Sequence, residues 1–415
     1  MSRFFKNIHS VYFMTMLLFI VAAFIIDTPV SLFEGMVAIL LSPDILVTDY
    51  IYVGGLGAAI LNSALTSLTA LAMLRIFKHD PKSATISNLW LVTGFAFLGK
   101  NPLNVLPIFF GCWLFAKFMR RDFNTSILTA LVAASLSPVV TQKLFIGTES
   151  LFIDIGLAIF AGVVIGFIFD PMARNIFKVH DGYNLYNGGL TAGLLAIIIV
   201  SVFGSYGIFY EMNYMWSSGN NIPISIFLVA ISLWLVFVGL YDNRNLREVF
   251  KNIFSLRKHQ NDYYSVVGSS SYVNMGLLGF LCVAVSLIFD IQLSGLALGA
   301  IVSVIGFGAN GKQLFSTTSL MLGVFLATLI SPLSMQDPSV IVAFFFAACL
   351  SPIPAKFGFH WGIIAGVFHI HLATSLAVMT GGVNLYNSGV AAGFVTILLL
   401  PIIRAIDERK SERLK

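Results

Sequence analysis

The sequence predicts an all-α polytopic membrane protein built from two inverted-topology repeats with broken half-helices. Three observations predict it. The chain is 58% hydrophobic and 10% charged, whereas a soluble domain of this size carries roughly a quarter charged residues. Apolar runs of about 20 residues, the length that crosses a bilayer as a helix, recur from end to end. Finally, Asn184-Leu185-Tyr186-Asn187 returns 200 residues later as Asn384-Leu385-Tyr386-Asn387, with Gly182/Gly382, Gly189/Gly389, Ala192/Ala392 and Gly193/Gly393 in the same register.

Two further echoes follow in the same order. Gly94-Phe95 with Gly99-Lys100-Asn101 reappears as Gly306-Phe307 with Gly311-Lys312-Gln313, an offset of 212. Ala133-Ala134-Ser135-Leu136-Ser137-Pro138 reappears as Ala347-Ala348-Cys349-Leu350-Ser351-Pro352, an offset of 214. A slowly drifting offset is what a duplicated unit leaves after small loop changes, and duplicated membrane units surround solute pathways in many transporters.

Predicted spans lie near 11–26, 51–75, 88–98, 101–118, 126–145, 151–169, 183–209, 223–242, 266–289, 293–308, 313–330, 338–356, 360–378 and 381–403. Several are too short to cross ~30 Å of hydrocarbon and read as half-helices. Asp27 and Pro29 close the first span, and no secretory cleavage site follows it. Lys and Arg cluster at the N-terminus, in 75–82, 117–121, 174–178 and 244–258, and in the tail, while 27–50, 210–222 and 331–337 carry none. The positive-inside rule then puts both termini in the cytoplasm of a bacterial plasma membrane, with Lys143 the one exception. That parity runs 51–75 inward and 266–289 outward, so the halves are inverted. The predicted organisation is an N-terminal span and short outer segment (1–50), repeat 1 (51–209), a linking span and basic loop (210–265), repeat 2 (266–403) and a basic tail (404–415).

Each repeat contains three elements able to break a helix. In Gly99-Lys100-Asn101-Pro102, glycine loosens the backbone, proline removes a donor, and Asn101 before Pro102 is biased away from helix. Asn101 and Gln313 offer amides to a polar solute; the alternative is a plain loop between spans. The second element, Leu-Ser-Pro with Ser137 and Ser351, is a kink or a half-helix end. The third is the Asn-Leu-Tyr-Asn element: Asn184, Tyr186, Asn187, Asn384, Tyr386 and Asn387 are costly in lipid unless paired or wet. They line a pathway or lock the halves together. Gly189/Gly193 and Gly389/Gly393 have the small-xxx-small spacing of close helix packing. Lys100 and Lys312 are repeat mates that read as vestibule charges or as snorkelling side chains.

No metal site or cofactor is expected. Cys112, Cys282 and Cys349 lie in apolar runs without ligand spacing, and the spacings of His360, His369 and His371 put no two on one helical face. A local offset of 204 pairs His369 and His371 with Ile165 and Phe167. A relay or a packed core histidine fits either. No phosphate-binding loop or hydrolytic constellation is present, so neither ATP coupling nor enzyme activity is expected. The expected partners are the lipid bilayer and a small-molecule solute, not nucleic acid.

Asn101-Pro102-Leu103, two apolar segments, and Gly182-Tyr183-Asn184-Leu185-Tyr186-Asn187-Gly188-Gly189 follow in an order that resembles the urea transporter family. The second half departs from it, reading Gln313-Leu314-Phe315. The resemblance implies two inverted halves, a pore lined by carbonyls at half-helix ends, and a homotrimer. The whole chain looks like an uncharacterised bacterial membrane family of the domain-of-unknown-function kind. The leading expectation is a channel or facilitator for a small polar solute. The alternatives are an ion- or proton-coupled carrier of a small anion, recognised by uphill uptake, and a membrane scaffold or lipid-interacting protein with no flux.

Overall fold

The computed structural model describes residues 7–43, 48–145, 150–176, 178, 181–207, 215–243, 245–255, 262–379 and 387–413. Among them the fold is all-helical, and eight helices are long and apolar enough to cross a membrane. Asn384 and Tyr386 lie outside the described residues.

The first half opens with α1 (Ile8–Ile26), whose N-terminal N–H groups of His9 and Ser10 donate to the Asn7 side chain. It continues through α2 (Pro29–Leu40), α3 (Tyr50–Gly54), α4 (Leu56–Ile76), α5 (Ser83–Phe95), α6 (Leu106–Phe118), α7 (Ile127–Ala133), α8 (Ser137–Phe145), α9 (Leu151–Ile176) and α10 (Asn187–Ser205). The second half runs α11 (Asn221–Asp242), α12 (Leu246–Ser255), α13 (Tyr263–Val267), α14 (Ser270–Ile288), α15 (Gly295–Phe307), α16 (Leu314–Leu329), α17 (Pro338–Phe346), α18 (Pro352–Phe357), α19 (Phe359–Met379) and α20 (Asn387–Arg413). Long and short helices alternate in the same order in both.

The sequence breaks fall where the composition places them. Gly99 (φ 59°) and Gly311 (φ 88°) take the left-handed turn that ends the α5 and α15 segments, a conformation costly for residues with a Cβ. Ala134–Leu136 and Ala347–Leu350 tighten into 3-10 turns just before Pro138 and Pro352.

Packing repeats as well. α1 lies on α4 as α11 lies on α14, and α6 lies on α9 as α16 lies on α19. A Cβ on Gly111 would stand 2.1 Å from the Val163 carbonyl, and one on Gly323 2.1 Å from that of Ile363. Likewise Gly166 abuts the Ile108 carbonyl and Gly366 that of Leu320. These mates fix the α9/α19 offset at 200, not 204, and pair His369 with Phe169 and His371 with Pro171. The reason is steric: small residues mark where two backbones touch, so the glycines set the register.

Two crossings join the halves. α5 meets α15, where Gly94 faces the Gly299 carbonyl and Gly306 sits under Trp90. α10 meets α20, and a Cβ on Gly389 would come within 2.7 Å of the Gly189 Cα. Gly393 packs on Leu190.

A pair of carboxylates, each from one half, caps the matching helix of the other. Asp49 is fully buried. Its Oδ1 accepts from the Ile51 and Tyr52 N–H groups at the start of α3. Its Oδ2 accepts from Ser217 N (2.9 Å), Ser217 Oγ (2.7 Å) and Gly295 N (3.0 Å), at the start of α15. Asp262 begins α13 in the same way and accepts from Ser83 N and Oγ at the start of α5. Ser83 and Gly295 stand 212 residues apart, and Asp49-Tyr50 matches Asp262-Tyr263 at an offset of 213.

Candidate functional site

The two Gly-Lys elements are buried at matching helix breaks. A buried amide supports each loop from below. Asn62 donates its Nδ2 hydrogens to the carbonyls of Ala96 (2.7 Å) and Lys100 (2.8 Å). Asn274 donates to those of Gly308 (2.9 Å) and Lys312 (2.6 Å). One amide thus satisfies two carbonyls that a helix end would leave bare. The Oδ1 atoms of both are buried without a hydrogen bond.

Lys100 and Lys312 are themselves completely buried. This differs from the snorkelling and vestibule expectations, because the helix breaks turn both side chains inward among aromatic rings. Lys312 Nζ donates to the Tyr186 hydroxyl at 2.8 Å and lies 4.3 Å from the Tyr186 ring centre and 4.8 Å from that of Phe307. Lys100 Nζ lies 5.8 Å from the Phe95 ring centre. The rings are continuous across the interface of the halves. Phe95 stacks on Phe346 at 5.4 Å, Phe346 meets the Tyr186 ring edge-on at 5.4 Å, and Tyr186 meets Phe307 at 4.6 Å. A run of four contacting rings thus links the two buried lysine side chains.

The Asn-Leu-Tyr-Asn element places Tyr186 there by reaching into the opposite half. Asn184 Nδ2 donates to the Gly389 carbonyl at 2.8 Å, and its Oδ1 accepts from Tyr186 N. Leu185 N donates to the Cys349 carbonyl in the 3-10 break of the second half. Asn387 is buried at the start of α20, and the Asn187 backbone starts α10. The hydrogen bonds of this element join the halves, and its tyrosine holds the lysine.

Other predicted site residues serve the backbone. Asn101 Oδ1 accepts from Leu103 N and Asn104 N, so the Asn101-Pro102 corner is a self-closed turn. Gln313 Nε2 donates to the Ile253 carbonyl of α12. Ser137 Oγ donates to Gly99 O, and Ser351 Oγ to Ala348 O. Sequence reasoning missed Asn104, which donates to Gly99 O and Thr141 Oγ1, and both capping aspartates. The repeated Asp-Tyr at 49 and 262 was the signal available for the latter.

His369 is buried, and neither ring nitrogen has a hydrogen-bond partner. Among the described residues no cluster of histidine, cysteine and acidic side chains is arranged to hold a metal.

A cavity of about 560 Å³ opens between α5, α7, α9 and α10. Asn88, Thr125, Thr129, Arg174 and Lys178 line its polar side, and Val132, Phe169 and Gly188 its inner end. Arg174 Nε is held 2.9 Å from buried Asp170. The lining thus reaches from Arg174 and Lys178 to Gly188 in the first turn of α10. A second cavity, of about 440 Å³, is apolar and has Asn101, Asn104 and Thr141 among its lining residues.

A family model described as "Protein of unknown function (DUF1576)" matches residues 28–205 and 242–405. No curated protein and no solved structure matches the chain.

Proposed function

The chain belongs to the DUF1576 family, and from that premise we propose that it is a membrane facilitator that moves a small polar solute along a path between two inverted repeats, without covalent chemistry. The observation that carries the reading is the duplicated Gly-Lys site: two fully buried lysines, at matching helix breaks, linked by one run of contacting rings from both halves. Buried charge in a membrane helix bundle is costly and marks function more often than architecture.

The repeat unit in this reading is longer than 51–209 and 266–403. It takes in α1 with α11, α2 with α12 and α3 with α13, which match in order and packing. Positive-inside charge then sets both termini and the 560 Å³ cavity on the cytoplasmic side of a bacterial plasma membrane. Asp49 works as the outer clasp between the halves and Asp262 as the inner one. The outer clasp is wholly buried and the inner is partly solvated.

The continuous run of rings supports a gated facilitator over a permanently open pore. The urea-transporter resemblance enters through the duplicated order of elements, and the trimer through that resemblance alone. Carriage of an anion is favoured over a neutral solute by the lysine pair, because an ammonium at each half-site repels cations and attracts anions.

The test is flux into proteoliposomes, followed by stopped-flow light scattering with urea, acetamide, glycerol, formate and nitrate gradients. Facilitated, saturable entry of one solute, accelerated by Phe346→Ala, is the expected result. Flat traces for every solute with correctly folded protein would remove the transport reading and leave a scaffold or lipid-interacting role.

A further inference from the structure

The 560 Å³ cavity between α5, α7, α9 and α10 is lined by residues that the second half does not repeat. Repeat offsets pair Ala84 and Asn88 with Leu296 and Ala300, and Thr129 and Val132 with Ala343 and Phe346. Leu296, Ala300, Ala343 and Phe346 are all buried. Where the second half carries a leucine and a phenylalanine, the first carries an alanine and a valine, and the smaller side chains leave space. Where the second half carries alanines, the first carries an amide and a hydroxyl, which line that space. Phe346 is also the ring that meets both Phe95 and Tyr186.

Polarity in the cavity is graded with depth. Arg174 and Lys178 are exposed at its rim, Asn88 and Thr129 are half-buried along its wall, and Val132 and Phe169 are buried. Arg174 is held as a fixed fork. Its Nε donates to Asp170 Oδ2 at 2.9 Å, and its Nη2 donates to Ser126 Oγ at 3.1 Å and to the Thr125 carbonyl at 3.2 Å. Among the described residues Arg174 Nη1 makes no hydrogen bond, and neither do the side chains of Asn88, Thr129 and Lys178. Asp170 balances the charge of Arg174, so the excess positive charge of the lining sits on Lys178.

A rim with a single excess cation and spare N–H donors selects a monovalent anionic head. Val132 and Phe169 offer no donor, so the inner end favours apolar atoms. The volume falls in the range of small-molecule sites, roughly 300–1,000 Å³. An inorganic ion of a few atoms would leave the inner end to water.

We propose that this cavity binds a monocarboxylate with a short apolar tail. Its carboxylate is held by Lys178 and Arg174 Nη1, the Asn88 amide and Thr129 hydroxyl donate from the wall, and the tail lies against Val132 and Phe169. This rests on the pathway reading above, and names the class of solute that enters through the first half.

The experiment is equilibrium dialysis of the full-length purified protein, in a neutral maltoside detergent, against radiolabelled butyrate, with sodium chloride holding ionic strength constant. Saturable binding is expected. Unlabelled butyrate should compete roughly tenfold better than acetate, since each further buried methylene tightens binding about fourfold. Butyramide, of the same shape but neutral, should compete about tenfold worse than butyrate. Lys178→Met, at an exposed position, should weaken butyrate about tenfold, and Asn88→Ala, which installs the residue of the second half, about threefold. Lys251→Met, at an exposed position outside the cavity, should leave binding unchanged.

No saturable butyrate binding would overturn the proposal, as would equal competition by acetate or butyramide, or equal binding by the wild type and Lys178→Met. Phosphatidylglycerol retained by the wild type, lost in Lys178→Met and not displaced by butyrate would assign the cavity to a lipid headgroup, and overturn it too. Proteoliposome flux separates this failure from that of the pathway reading. Neutral-solute entry without butyrate binding would sink the carboxylate site and leave the pathway. Butyrate binding without flux of any solute would keep the site and sink the pathway.

Discussion

Replacing Asp49 by alanine removes a carboxylate that accepts five hydrogen bonds in a fully buried position. Two of the donors begin α3, and their loss alone costs about 0.5–2 kcal/mol, as for other helix caps. The Gly295 and Ser217 N–H groups have no water to turn to, and a buried donor left bare costs about 1–3 kcal/mol. Because the donors share one acceptor, the terms do not add fully, and a total near 3–5 kcal/mol is expected. Asp262→Ala removes the matching cap on the other face. That carboxylate is partly solvated, but Ser83 is fully buried and is left without an acceptor, so about 1–3 kcal/mol is expected. Asp49→Asn should fall between them, keeping the Oδ1 acceptor but turning an NH2 toward Ser217 and Gly295. The assay is thermal unfolding in detergent together with amide hydrogen exchange at Ser217 and in the first turn of α15. Equal destabilisation by Asp49→Ala and Asp262→Ala, or unchanged exchange at Gly295–Leu298, would refute the claim that the Asp49 clasp is the stronger one.

Asn274→Leu leaves the Gly308 and Lys312 carbonyls without their donor and should destabilise by about 2–5 kcal/mol, read by the same unfolding assay, with Asn62→Leu alike. Gly306→Ala pushes a methyl to 2.0 Å from the Trp90 Cβ, and Gly389→Ala pushes one to 2.7 Å from Gly189. Both should cut the yield of monodisperse protein in size-exclusion chromatography, while Gly156→Ala, which meets nothing within 4 Å, should not. Burial pushes the Asp262 carboxyl up, but hydrogen bonds from Ser265 and Ser83 outweigh it and hold the group below its ordinary 3.8. Its contribution is therefore present above that value and lost as pH falls through the lowered one. The acid end of the unfolding profile should flatten in Asp262→Asn. Cysteines placed at Ser218 and Lys251, both exposed, should label from opposite sides of intact cells; labelling from one side would end the inverted-repeat reading.

The membrane character, the duplication and the positions of the breaks were legible in the chain because each has a local cause. Apolar length decides what leaves water. Gly99, Gly311 and the Ser-Pro pairs break helices through their own backbones. The roles of the polar residues were less legible. Asn101 and Gln313 left two readings open, amides facing a solute or a plain loop between spans, and only the structure shows the turn at Asn104 and the Ile253 carbonyl that engage them. The register of α9 and α19 was misread by four residues, because the one Ala-Gly pair of each helix, Ala161-Gly162 and Ala365-Gly366, was matched by identity, whereas contact on α6 and α16 makes Gly166 the mate of Gly366.

What the sequence by itself determined is a twice-written helical membrane chain with paired interruptions. Tertiary structure alone decided that Lys312 meets Tyr186 across 126 residues, that Asp49 caps a helix 246 residues away, and that both lysines are buried rather than turned to a surface. The physical reason is that a helix break is enforced within a few residues. The partner of a buried charge is fixed by how two halves pack, and no local pattern of residues records which surface will face which.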